Sequence, residues 1–193
     1  NETVRGVDVN INFDKSFQIG ERGVNLGVDV VLNHSKEASE RFLDDEGNED
    51  FDDDNLEWGF PDWKGQLGLR ADVGDWRVTW VANYIGEVIQ DVDGVDALST
   101  ALVASDTCMG PAYGDVLCRD YGDTDEYVMH SASVYYRSDQ WNVGFGVRNV
   151  FDTAPPWVDG TEVLAINNTP IGYGYDLNGR TYFLNVRYNL GSN

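Results

Sequence analysis

Apolar and polar residues alternate along most of this chain. Val7, Val9, Ile11 and Phe13 interleave with Asp8, Asn10, Asn12 and Asp14. Successive side chains of a β-strand point to opposite faces, so each set occupies one face. Seven segments read this way. The first is Thr3–Asp14 and the second is Val24–Asn33, with Val24, Leu26, Val28, Val30 and Leu32 on one side. Trp63–Val73 carries Gly65, Leu67, Leu69, Ala71 and Val73; Trp76–Val88 carries Trp76, Val78, Trp80, Ala82 and Tyr84. In Tyr127–Arg137 both parities hold apolar residues, and Ala132, Val134 and Tyr136 are the preferred set. Trp141–Phe151 sets Trp141, Val143, Phe145 and Val147 against Asn142, Gly144, Gly146 and Arg148. The seventh, Asn178–Leu190, sets Tyr182, Leu184, Val186, Tyr188 and Leu190 against Thr181, Asn185, Arg187 and Asn189, with Phe183 as the exception.

The connections alternate in length. Gly20–Gly23, Gly74-Asp75 and Ser138–Gln140 are tight turns, and Gly-Asp is a two-residue hairpin signal. Between them run three long stretches, from His34 to Asp62, from Ile89 to Glu126 and from Asp152 to Asn178. A soluble sandwich gives no reason for such segregation. An outer-membrane barrel does, having short periplasmic turns and long extracellular loops. The fold expected is all-β: an antiparallel transmembrane barrel with the long stretches outside the cell. No run approaches 18 apolar residues, which excludes a transmembrane helix but not a barrel, whose strands carry a weaker signal.

Seven strands cannot close in lipid, because open edges leave backbone groups unpaired there. The expectation is that residues 1–193 form the C-terminal part of a larger barrel domain. A chain starting at Asn1 without Met or an apolar leader fits a processed product or a piece.

Composition adds partners and excludes others. The net charge is −21, from 34 acidic and 13 basic residues, which disfavours nucleic acid and anionic membrane surfaces. Cys108 and Cys118 are expected to close a small loop as a disulfide, implying an oxidising compartment. His34 and His130 stand apart, no Ser–His–Asp set is suggested, and no enzyme is expected.

Two stretches carry a family resemblance. Gly146-Val-Arg-Asn-Val-Phe-Asp-Thr-Ala-Pro-Pro156 resembles the penultimate-strand signature of TonB-dependent outer-membrane receptors. Asn168-Thr-Pro-Ile-Gly-Tyr-Gly-Tyr-Asp-Leu-Asn-Gly-Arg-Thr-Tyr-Phe-Leu-Asn-Val-Arg-Tyr188 is similar to their C-terminal block. The resemblance is strongest over about the last 65 residues. It implies the last seven or so strands of a 22-stranded plugged barrel in a Gram-negative outer membrane. It also implies import of a scarce nutrient, with the plug and the TonB-contacting segment, including the TonB box, outside this chain. The partners implied are lipid and lipopolysaccharide, the rest of the barrel and plug, TonB and a small-molecule nutrient. Carbohydrate or another organic nutrient is favoured over a ferric siderophore, since acidic outer loops repel anionic siderophores. Members usually end on an aromatic residue, whereas here Leu190 is followed by Gly191-Ser-Asn193. The alternatives are a passive porin-like or small structural barrel, and a soluble surface β-sandwich that binds carbohydrate.

Candidate site residues lie in the long stretches. Rings that could stack on a ligand are Trp58, Trp157, Tyr173 and Tyr175, with Phe60 and Trp63 also considered. Trp63, Trp76 and Trp141 start strands and suit an interfacial girdle. Between Lys36 and Trp58 stand eleven Asp/Glu and two basic residues. Asp50, Asp52 and Asp54 have the spacing that opens a Ca²⁺-binding EF-hand loop, but Asn55 and Pro61 replace its Gly and bidentate Glu. The competing reading is a solvated loop kept extended by like-charge repulsion. No other cofactor is expected. Arg77, Arg148 and Arg187 are expected to face inward.

Overall fold

The computed structural model describes residues 2–44, 46–89, 123–158, 164–167 and 169–190. The chain is all-β, built around one antiparallel eight-stranded sheet. Its elements are β1 (Glu2–Ile19), β2 (Arg22–Leu43), β3 (Glu49–Asp53), β4 (Trp63–Val73), β5 (Trp76–Ile85), β6 (Val88–Ile89), β7 (Asp123–Thr124), β8 (Tyr127–Arg137), β9 (Trp141–Arg148), β10 (Ala165–Ile166), β11 (Thr169–Pro170) and β12 (Thr181–Tyr188). The sheet runs β1-β2-β4-β5-β8-β9-β12, with β3 also paired to β2. The pairs β6–β7 and β10–β11 are separate two-stranded pieces. Each of the seven alternating segments contains a strand of the main path. For β4 and β8 the expected bounds match the observed ones.

The register lines up the alternation across the whole sheet. One lateral row reads Phe13, Val28, Leu69, Trp80, Ala132, Val147, Tyr182. Another reads Phe17, Val24, Val73, Trp76, Tyr136, Val143, Val186. These rows form an apolar face and resolve the ambiguity of β8: Ala132, Val134 and Tyr136 do lie on it. Directly opposed side chains are the contacts that stabilise such a sheet. Here they include the ring pairs Trp76–Tyr136, 4.9 Å between centroids, and Trp141–Tyr188, 4.6 Å.

The other face is polar and stitched sideways. The Arg70 guanidinium reaches across Gly27 to Asp14 and also lies 3.5 Å from Asp72. A Cβ at Gly27 would crowd both partners, so glycine leaves the path open. Arg77 pairs with Asp72, Asn33 donates to Asp8 at 2.8 Å and Gln66 donates to Asn83 at 2.8 Å. Phe183, the exception in its strand, lies over Gly146, which has no side chain to obstruct the ring. Tyr135 covers Gly144 in the same way.

All three tight turns lie at one end of the sheet, and the strand ends that carry the long connections lie at the other. The β1–β2 hairpin turns at Gly20-Glu21, where Gly20 has φ 61°. At the far end β2 runs well past the expected Asn33. A β-bulge opposite Arg5 and Gly6 shifts its register, and it then pairs with β3. The acidic stretch is therefore partly a hairpin rather than an extended loop. Its turn is held by Asp44, whose carboxylate accepts from the Glu46 and Asn48 backbone N–H groups at 2.9 and 2.7 Å. These bonds, with the Asn48 side-chain bond foremost, hold the Asp44 carboxyl below its usual range.

Candidate functional site

Apart from Val24 beside the tight turns, most buried side chains among the described residues lie at the long-connection end. Trp58, Val88 and Val158 form one small cluster, with Tyr173 and Tyr175 packed against it. Ile85, Tyr127 and Met129 form a second, which Tyr175 also touches. The segment after β9 thus folds back over the sheet and bridges both clusters. Trp58 lies 5.6 Å from Tyr173 and 5.7 Å from Tyr175, and Tyr127 lies 5.2 Å from Tyr175 in an edge-on arrangement. Burial, then the neighbouring Tyr127, pushes the Tyr175 phenol up to about 12.

Local backbone geometry delivers these rings. Residues 54–60 wind tightly: Glu57 N–H donates to Asp54 O, Phe60 N–H to Glu57 O and Leu56 N–H to Phe60 O, all within 3.0 Å. Leu56 takes φ 75°, a costly left-handed conformation for a branched residue, held here by these bonds. The Gly59 and Gly174 backbones also have positive φ and pass close to Tyr173 and Ile85 respectively.

The returning segment has polar anchors too. The Asp176 side chain is 1% exposed, and its Oδ2 lies 3.2 Å from Arg148 Nε. The Asp176 N–H donates to the Tyr127 hydroxyl at 3.3 Å. Asn149, fully buried with φ 53°, exchanges two bonds with Thr153: Nδ2 donates to O at 2.9 Å and Oδ1 accepts from N–H at 2.8 Å. Asp152, φ 57°, accepts the Arg180 N–H at 2.7 Å. Asn and Asp are the non-glycine residues that best tolerate this conformation. The Asn149–Asp152 turn therefore clamps both ends of a long excursion onto adjacent strands. Asn149 and Asp176 were missed as site residues. Both stand in the two stretches that carry the family resemblance, and that was the available signal.

Beneath the returning segment is a cavity of about 590 Å³. Val31, Ile85 and Met129 give it apolar patches, and Asn33, Lys64, Gln66, Asn83, Ser131 and Arg148 give it polar ones. Tyr173 and Gly174 close one side. The size is ordinary for a small-molecule site.

The expected site residues are only partly brought together. Trp58, Tyr173 and Tyr175 converge, but Trp58 is 7% exposed and serves packing, so its ring is not open to a stacking ligand. Tyr173 reaches the cavity. Trp157 is 55% exposed and lines a different hollow, beside Thr124–Tyr127 and Thr153–Pro156. Asp50 and Asp52 lie in β3, opposite Phe42 and Glu40, and Asp54 follows it. Alternate residues of a strand lie some 6.5 Å apart, an extended arrangement rather than the wrapped loop of an EF-hand. Among the described residues no group of three His, Cys, Asp or Glu side chains is placed to hold a metal ion. Cys108 and Cys118 lie outside the described residues. Of the three arginines, Arg77 and Arg148 find carboxylates within this chain, Asp72 and Asp176.

No protein-family model, no curated protein and no solved structure matches the chain.

Proposed function

We propose that this chain is the C-terminal portion of the barrel of a TonB-dependent outer-membrane transporter, importing a carbohydrate or other organic nutrient. The observation that carries the reading is the apolar face that continues across seven strands, with Lys15 opposite Leu26 and His130 opposite Ala82 among its polar interruptions. Phe151, just past β9, rests against Trp80 and His130 at the loop end of this face, but no second layer among the described residues covers it, and Ile11, Phe13, Val78, Leu184 and Val186 are each about half exposed or more. In water an apolar surface of that extent marks an interaction site or an aggregation hazard. In lipid it is the required surface. The dimensions agree. Trp63 to Val73 spans about 33 Å along β4, or about 25 Å in height at a 40° tilt, the height of a barrel's apolar band. Trp63, stacked 4.2 Å from His34, stands at one rim, and Trp76, Tyr136, Trp141 and Tyr188 stand at the other.

Two further features favour a large barrel over the alternatives. A sandwich needs a second sheet on the apolar face, and the described residues provide none. The strands β1 and β12 each leave one edge unpaired within the described sheet, so further strands would close it. The carbohydrate preference rests on the acidic outer hairpin and the resemblance of residues 168–188 to the family's C-terminal block.

The test is uptake by cells expressing the full-length receptor, with and without TonB, during growth on saccharides and under iron limitation. TonB-dependent accumulation of a saccharide is expected. Uptake unchanged by loss of TonB would leave a passive pore, and TonB-dependent uptake restricted to ferric complexes would overturn the substrate preference.

A further inference from the structure

The cavity differs in charge from the protein that surrounds it. The chain carries a net charge of −21. Yet the described cavity lining holds two cations, Lys64 and Arg148, and no carboxylate. Arg148 is already matched by Asp176. Lys64 is not: among the described residues it has no ion-pair partner, and its ammonium donates to the Gly59 carbonyl at 3.0 Å. Two of its three donor positions remain. Asp8, in the same lateral row, is separated from it by Asn33, which donates to that carboxylate. A half-buried ammonium in a concave site without a counter-charge is a specific place for an anionic group.

The rest of the lining narrows the ligand. Gln66 and Asn83, joined to each other by one bond, supply amide groups with further donor and acceptor capacity, Ser131 supplies a hydroxyl, and Tyr173 supplies a ring beside Gly174. Amides that both donate and accept match vicinal hydroxyls, and a ring edge or face matches the apolar side of a sugar. The volume of about 590 Å³ admits two sugar units.

We propose that this cavity binds a small carboxylated saccharide of the uronate kind, with Lys64 as the counter-charge for its carboxylate and Tyr173 as its stacking platform. This rests on the transporter reading and names the substrate class within it. The acidic hairpin does not oppose it at equilibrium. Ser39, where β3 begins to pair, is about 20 Å up β2 from Asn33, beyond the roughly 8 Å screening length at physiological salt. On approach the hairpin slows any anion, a uronate dimer less than a more highly charged ferric siderophore.

The experiment is calorimetry on the purified full-length receptor in detergent, with digalacturonate, neutral digalactose and citrate as probes. Digalacturonate is expected to bind at least tenfold tighter than digalactose, and citrate weakly. Lys64→Gln should remove the preference and Lys64→Arg should retain it, while Tyr173→Ala should weaken both sugars by a similar factor. Equal binding of the two sugars, a preference unaffected by Lys64→Gln, or citrate binding as tight as digalacturonate would overturn the proposal. Where binding fails this way but uptake of another saccharide still requires TonB, the substrate class falls and the transporter reading stands. TonB-independent uptake removes both.

Discussion

The two faces of this sheet share every backbone hydrogen bond and differ in everything else. The apolar face runs from β1 to β12, with Phe13, Val28, Leu69, Trp80, Ala132, Val147 and Tyr182 in one row and Phe151 resting on it at Trp80. The polar face changes along its length. At the tight-turn end it is a network of Asp14, Arg70, Asp72 and Arg77. At the loop end it is covered by Trp58, Tyr173 and Tyr175. The contrast shows where order comes from on each side. On the proposed reading the apolar face needs only correct alternation, because lipid would be its partner. The polar face needs particular residues, because a loop must be held down against water.

Substitutions can sharpen this contrast. The largest effect is expected from Trp58→Ala, which empties the cluster that ties residues 54–60 to the returning segment. Removing a buried Trp costs about 3–5 kcal/mol. The cost should appear as local opening, with faster proteolysis between β9 and β12 and an intact sheet. Loss of the whole sheet would contradict the division between faces. Next come the neighbours Val28 and Asp29, on opposite faces of β2. Val28→Arg should destabilise the folded receptor by about 2–4 kcal/mol in lipid, whereas Asp29→Arg should stay within about 0.5 kcal/mol. Urea unfolding followed by heat-modifiable gel mobility measures both. Equal losses would mean that neither face meets lipid.

Asn149→Ala should cost about 2 kcal/mol. It removes both Thr153 bonds and puts Ala at φ 53°. The change should loosen the last loop more than it alters strand pairing, as hydrogen exchange can resolve.

Two pH effects follow in decreasing size. The Tyr175 phenol titrates near 12 when folded, against an ordinary value near 10. The unfolded form loses its proton first, so the loop's attachment is unaffected below about pH 10 and weakens from there to about 12. A late tyrosinate absorbance step that disappears in Tyr175→Phe would show it. The acidic hairpin has two carboxylates of opposite behaviour. Burial first, then Asp52, Glu40, Asp53 and Glu2, raise the Asp54 carboxyl, so protonating it relieves the hairpin as pH falls. Asp44 is lowered by the bonds of its turn, so stability is lost as pH falls through its depressed folded value. On acidification the hairpin should first tighten slightly and then loosen. NMR titration of the two carboxyls would order the steps, and Asp44 titrating before Asp54 would refute it.

How much was legible in the sequence follows from the same contrast. Two-residue alternation is a local signal, and it located β4 and β8 to the residue. It lost β2 after Asn33, because Ser35-Lys-Glu-Ala-Ser-Glu-Arg41 carries no apolar alternation, although Ala38 and Ser39 are buried. It lost β3 because a run such as Asp50-Phe-Asp-Asp-Asp54 looks like solvated charge, whereas pairing with Ser39–Leu43 is a contact the run does not announce. Rings in the long stretches were recognisable as candidates, but their roles were not. Trp58 and Trp157 look alike in sequence. One is buried against Tyr173 and Tyr175, and the other is exposed beside Pro156. Only the path of the chain between them decides that.

The central claim is that the apolar face meets lipid and the polar face meets water. The most direct measurement is a spin-label scan from Lys64 to Val73 in β4 of the membrane-embedded receptor, with Cys108 and Cys118 replaced by serine. Accessibility to oxygen, which concentrates in lipid, is compared with accessibility to a water-soluble nickel chelate. Residues 65, 67, 69, 71 and 73 should favour oxygen, and residues 64, 66, 68, 70 and 72 should favour nickel, in strict alternation. Nickel access at Leu67 and Leu69 equal to that at Gln66 and Arg70 would contradict it.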